Sequence, residues 1–208
     1  MIDRLIERYP ILKACQAEIE KAAELLIRAY ENERTVLVCG NGGSCADADH
    51  IVGELMKGFC NKRALNDAEK SMLSSIDEKC GASIADGLQK ALPAINLCAQ
   101  SAVLTAYGND VNPKLAFAQL AYGYVKRDDI LIGISTSGNS ENVINAGIAT
   151  KAKGAISIGL TGISECLMDR IFDCVIHVPE KETYKVQELH LPVYHWLCLE
   201  IENHFFAE

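Results

Sequence analysis

The sequence predicts an α/β fold built on a mainly parallel sheet, and three observations carry that expectation. Short apolar runs rich in β-branched residues recur along the chain, among them "TVLVCG", "AISIGLTG" and "IFDCVIHVP". They alternate with longer segments of helical periodicity. Two runs open directly into a small-residue loop and then a helix, at "TVLVCGNGGS" and again at "DDILIGISTSGNS". Continuous apolar strands suit a sheet covered by helices on both faces.

Taken in order, "PILKACQAEIEKAAELLIRAYENE" (residues 10–33) carries Ile11, Cys15, Ile19, Ala22, Leu26 and Ala29 at helical spacing. Pro10 suits a helix start. Residues 1–33 are expected to form a helical region that meets a partner subunit, with packing on the chain's own core as the alternative. "TVLVCG" is the first strand, and the helix after it spans residues 45–57. Residues 61–92 are more polar and less patterned, an insertion with one or two short helices. "PAINL" (93–97) is a further strand, and "SAVLTAYGND" leads into a helix over 114–125. Residues 128–154 repeat the opening design and end on Gly154 as a helix stop. The last helix covers 182–205, with Pro192 removing one backbone hydrogen bond and kinking it.

The composition narrows the function. The chain has 208 residues, 49% of them hydrophobic, enough for one domain (1–208) with a real core. Its formal net charge is -8 and it has no Lys/Arg block, so neither nucleic acid nor an anionic membrane is an expected partner. Nine cysteines without a C-x-x-C pair, and no secretion signal, suit free thiols in the cytoplasm.

The two loops favour an anion. From Gly40 the spacing gives Gly40, Gly42 and then Cys45, so the dinucleotide fingerprint lacks its third glycine; the nucleotide P-loop lysine is missing too. Helix N-termini beyond the carboxyl ends of strands still offer unpaired N–H groups and partial positive charge. Ser135, Thr136, Ser137 and Ser140 add hydroxyls, a set that binds a phosphate monoester without a cation; the alternative is a pair of ordinary strand-to-helix turns with capping serines. His50 and Glu54, four residues apart, share a helix face. Gln187 and His195 are eight apart on the last helix, about 80° around an ideal wheel; His190 points elsewhere and is read as structural.

"CGNGGS…DADHIVGEL", "SAVLTAYGND", "LIGISTSGNSENV" and "TYKVQELHLPVYH", in that order, resemble the sugar isomerase (SIS) domain family, and within it the phosphoheptose isomerases. The resemblance covers the chain from about Thr35 to the last helix. It implies a three-layer αβα sandwich around a parallel five-stranded sheet, and a homotetramer with sites between subunits. It implies that a small sugar phosphate, sedoheptulose 7-phosphate, is isomerised to glycero-manno-heptose 7-phosphate through an enediol. The serine loop (Ser135, Thr136, Ser137, Ser140) then holds the phosphate. Asn41, Gly42, Gly43 and Ser44 of the glycine loop, with Asn109, Asp110 and Gln187, contact the sugar. His50, Glu54, Gln187 and His195 would hold Zn2+, and Glu54 and His195 would move protons. The sequence departs from the pattern in the length of 61–92, in Lys185 and Val186 where many relatives carry Arg and Ile, and in Cys45 where a histidine often stands. Two alternatives follow: an isomerase of another anionic sugar, phosphorylated or sulfonated, and a non-catalytic SIS protein that associates with the replication initiator. As a group those binding proteins lack the helix Glu and the last His, both of which are present here.

Overall fold

The computed structural model describes residues 2–207. Strands β1 (Val36–Gly40), β2 (Ala94–Asn96), β3 (Ile130–Ile134), β4 (Ile156–Thr161) and β5 (Cys174–His177) form one sheet in the order β2-β1-β3-β4-β5. Every neighbouring pair is parallel, with Val36 opposite both Ala94 and Ile130, and Ile130 opposite Ile156. The α/β expectation and the five parallel strands are both met.

Alternation along the strands makes two cores. Val36, Val38, Ile130, Ile132, Ile134, Ile158 and Leu160 point to one face. Leu37, Cys39 and Leu131 point to the other. Because both faces are covered, the strands read as continuous apolar runs rather than alternating ones. Each fully buried Ile, Leu or Val contributes roughly 1.5–3 kcal/mol of transfer free energy.

The first face is covered by α1 (Ile2–Arg8), α2 (Gln16–Glu31), α3 (Gly43–Met56) and α10 (Thr183–Phe206). The second is covered by α7 (Ala116–Tyr124), α8 (Glu141–Ala152) and α9 (Met168–Ile171). Three layers result, helices on sheet on helices. Between β1 and β2, α4 (Asp67–Ile76) and α5 (Glu78–Gly87) form a short hairpin, the two helices expected in 61–92. Asn66 opens α4 with a capping box: its side chain accepts from the Glu69 N–H while Glu69 reaches back to the Asn66 N–H.

Two local expectations need correction. The N-terminal helix is not continuous: a 3-10 turn over Pro10–Cys15 separates α1 from α2. Pro10 lacks an N–H and fixes the turn there, so Leu12 rather than Ile11 goes inside; Ile11 is 45% exposed. The segment "SAVLTAYGND" is itself a helix, α6 (Ser101–Asp110), and does not merely lead into one. Pro192 lies inside α10, as expected, and the helix runs on past it. Buried Val193, Tyr194, Leu197 and Ile201 after the proline offset the roughly 3 kcal/mol that an interior proline costs. Gly154 is where the sequence put it, just past α8 with φ of 73°, the left-handed conformation that favours glycine.

Candidate functional site

In this strand order the chain path reverses at β1/β3, and an open α/β sheet binds its ligand in the crevice outside that point. The loop after β1 is the glycine loop and the loop after β3 is the serine loop. They are joined side chain to side chain: Asn41 Nδ2 donates to Asn142 Oδ1 and Asn142 Nδ2 donates to Asn41 Oδ1, both at 2.9 Å. Asn142 sits at the start of α8, and sequence reading missed it because Asn at a helix start normally signals only a cap.

The serine loop is built around Ser135, which is buried. Its Oγ lies 2.8 Å from Ser140 Oγ and 3.4 Å from Ser137 Oγ. Ser140 is the N-cap of α8 but makes no side-chain cap bond, so its hydroxyl stays in the loop's own cluster. Thr136 is half-buried and Ser137 is exposed. Small hydroxyl side chains and a helix N-terminus converge here, which is an anion-binding arrangement. In the glycine loop, Gly42 has φ of 56°. At Gly43 a Cβ would collide with the Gln187 side-chain amide, so a glycine is needed for α10 to come this close. Ser44 is buried at the start of α3.

On α3 and α10 a polar group forms around His50. Glu54 Oε1 lies 3.4 Å from His50 Nε2, and His195 Nε2 lies 3.4 Å from the same nitrogen. The Tyr194 hydroxyl is 3.1 Å from His50 Nδ1 and 3.2 Å from Asp47 Oδ1. A carboxylate only accepts, so the hydroxyl proton goes to Asp47 and the His50 Nδ1–H donates to the hydroxyl. That tautomer leaves the His50 Nε2 lone pair facing Glu54 and His195. Tyr194 and Asp47 were not foreseen; an aromatic at the buried face of a helix reads from sequence as core alone.

The protonation states suit acid–base work. Burial, with the neighbouring His50, lowers the His195 pKa, while Glu54 works against that shift. Glu54 Oε2 is paired with Lys57 Nζ at 2.7 Å, leaving Oε1 toward the histidines. His190 on the same helix is fully buried, and burial lowers its pKa to about 4. It stays neutral, in keeping with a structural reading.

The remaining predicted residues are placed differently. Gln187 packs on the glycine loop at Gly43, while His195, two turns on, meets His50. Asn109 and Asp110 are exposed at the end of α6, and their side chains bond to each other at 2.9 Å rather than to either loop. Among the described residues, one set of three candidate metal-binding side chains has all its donor atoms within 4.8 Å of one another: Cys166, Asp169 and His177. His50, Glu54 and His195 instead make an open chain with His50 in the middle. All nine cysteines are free, and among the described residues no helix is long and apolar enough to cross a membrane.

The parallel sheet with two anion-seating loops at its switch point defines a class: the chain belongs to the SIS domain family, whose models match residues 3–83 and 102–198. More narrowly, it is similar to phosphoheptose isomerases. It is 36% identical to that of Nitratiruptor sp., over 90% of this chain and 86% of the relative. It is also 36% identical to that of Aneurinibacillus thermoaerophilus, over 90% of this chain and 82% of the relative. The solved phosphoheptose isomerase of Francisella tularensis superposes with a TM-score of 0.77 at 29% identity, covering 97% of this chain and 94% of the other.

Proposed function

We propose that this chain is an aldose–ketose isomerase that converts sedoheptulose 7-phosphate to glycero-manno-heptose 7-phosphate through an enediol. The observation that carries the reading is the position of Glu54 and His195 on either side of His50 Nε2, in a fold whose glycine and serine loops are bridged by Asn41 and Asn142. Similarity to phosphoheptose isomerases supports a phosphorylated heptose as the substrate.

Isomerisation moves a proton between adjacent carbons while the oxygens gain and lose theirs. Glu54 is the base at carbon: Oε2 pairs with Lys57, and Oε1 is free of that pair. His195 serves the oxygens, since a neutral imidazole can donate from one nitrogen and accept at the other. The serine loop holds the phosphate through Ser135, Thr136, Ser137, Ser140 and the α8 N-terminus. Asn41, Gly42, Gly43, Ser44 and Gln187 border the sugar.

The donor set fits zinc. Two imidazoles and a carboxylate are suitable ligands, and the bare His50 Nε2 facing a carboxylate oxygen and a second imidazole nitrogen is an arrangement that a cation completes. Such an ion, bound by His50, Glu54 and His195, with Gln187 as the expected fourth ligand, would polarise the carbonyl as a Lewis acid. In this reading the protein is a homotetramer, and Asn109 and Asp110, exposed at the end of α6, complete a neighbouring subunit's site. The free thiols support a cytoplasmic location. We read residues 1–208 as one domain, 61–92 as an insertion beside it, and residues 1–33 as contributing to subunit contact as well as to the core.

Deuterium exchange tests the assignment. The protein is mixed with a panel of sugar phosphates in D2O with zinc, and the protons next to the carbonyl are followed by proton NMR. Loss of one such signal with sedoheptulose 7-phosphate, abolished by Glu54→Gln, is the expected result. Exchange only on a different sugar replaces the substrate, and no exchange on any sugar sinks the enzymatic reading.

A further inference from the structure

Behind the serine loop, on the side away from α3, the segment after β4 folds back on it. The Met168 N–H donates to Gly138 O at 3.2 Å, the Leu167 N–H to Asn139 Oδ1 at 2.9 Å, and the Gly162 N–H to Thr136 O at 3.1 Å. Gly138 has φ of 65°, and a Cβ there would strike Cys166 Sγ, so the thiol lies directly against the loop. His177 at the end of β5 completes the group. Its Nδ1 is 2.8 Å from Gly162 O, and its Nε2 is 2.7 Å from Asp169 Oδ1. The other oxygen of Asp169 accepts from the Cys166 N–H at 2.8 Å.

These contacts fix the chemistry of each donor. A carbonyl only accepts, so His177 Nδ1 carries the proton and a neutral ring presents a bare Nε2 to a carboxylate oxygen. Two acceptors that close need a positive centre between them, either a proton or a metal ion. The Cys166 sulfur beside them argues for the metal, because a thiol adds little to a histidine–carboxylate pair but becomes a strong ligand once a borderline cation displaces its proton. Each nitrogen and oxygen donor also has the outer partner that metal ligands carry: Gly162 O orients the imidazole, and the Cys166 N–H orients the carboxylate. Tetrahedral bonds of about 2.0–2.3 Å would open the 2.7 Å contact between His177 and Asp169 by roughly half an ångström and bring the sulfur closer, both within reach of side-chain movement. Cys166 and Asp169 line a cleft of about 480 Å³, shared with Asn139, Glu165 and Arg170, which leaves a fourth coordination position open.

We propose that Cys166, Asp169 and His177 form a second metal site, for a divalent transition ion of the zinc class, and that the bound ion braces the serine loop from behind. The site shares no residue with the His50 group, and it stands whether or not the isomerase assignment does.

Cobalt(II) is the probe, added to chelator-treated full-length protein. A thiolate bound to cobalt gives an intense near-ultraviolet charge-transfer band, which the sulfur-free His50 group cannot produce. The band should saturate at one equivalent per chain. It should persist in Cys60→Ser, Cys80→Ser and His50→Ala, and vanish in Cys166→Ser and in His177→Ala, with circular dichroism confirming that each variant is folded. Amide hydrogen exchange over residues 136–140 should slow several-fold on loading with zinc in the wild type, but not in Cys166→Ser. No band in the wild type, or a band that survives Cys166→Ser, overturns the site and leaves an imidazolium–carboxylate pair in its place. Unchanged exchange over 136–140 in zinc-loaded wild type overturns the brace.

Discussion

Two glutamates on neighbouring helices meet opposite fates, Glu54 on α3 and Glu202 on α10. Glu202 is fully buried and has no free capacity: it accepts from the N–H groups of Phe59, Cys60 and Asn61 at 2.7, 2.7 and 3.0 Å, and from Arg63 Nε at 2.9 Å. Burial works against its ionisation, yet these donors outweigh it and lower its pKa. Arg63 is spent as well, giving its other nitrogens to Leu55 O and Glu54 O at 2.6 and 3.0 Å. Glu54 has one oxygen on an exposed lysine and the other facing a half-open pair of histidines. A carboxylate whose lone pairs are all engaged stabilises; one left partly engaged can react. The two centres are also linked, because Arg63 binds the main-chain carbonyl of Glu54 itself.

The largest effect should fall on the open centre alone. Glu54→Gln and His195→Ala are each expected to lower turnover by about 10²–10⁴-fold with unchanged unfolding midpoints. Near-normal turnover in both would remove the reactive half of the contrast. The closed centre should behave oppositely. Glu202→Ala leaves a buried guanidinium without its partner and is expected to cost about 3–5 kcal/mol in urea unfolding. The double variant Arg63→Met/Glu202→Met should be less destabilised than either single change, a double-mutant cycle that measures the pairing directly.

His190, five residues before His195 on α10, sharpens the contrast through pH. Its pKa in the fold is about 4, below the ordinary 6.5, so the unfolded chain takes up the proton first on acidification. Stability is therefore complete above 6.5, falls as pH drops from 6.5 to about 4, and loses nothing more to this group below that. The shift corresponds to about 3 kcal/mol. Urea midpoints measured across that range should flatten in His190→Leu. The smallest effect is expected from Tyr194→Phe, which keeps the ring and removes the hydroxyl that sets the His50 tautomer. A loss of about fivefold in kcat, matching one neutral hydrogen bond, is the expected outcome; a steady-state assay showing no change would make Tyr194 a packing residue only.

The contrast also shows what could be read in the sequence. The strands, both loops and the His50–Glu54 pairing were legible, because each is set by local pattern: apolar runs, small residues at a strand-to-helix turn, a four-residue spacing. Arg63 and Glu202 were not, being 139 positions apart with nothing local to relate them. The break at Pro10 was masked by an apolar periodicity that continues across it. Gln187 and His195 were read as one constellation on a kinked helix. In the structure Gln187 lies against Gly43 and His195 against His50. Proximity along one helix says nothing of which neighbour each turn will meet.

The reciprocal amide pair between Asn41 and Asn142 has a consequence for how the molecule responds to its surroundings. Neither amide ionises, and the pair carries no net charge, so the spacing it sets between the two loops is insensitive to acidity and little affected by salt. His195 beside His50, by contrast, can take up a proton on acidification. The seat for the substrate and the machinery acting on it thus answer to different variables: acidification should silence the reaction while the cleft keeps its width.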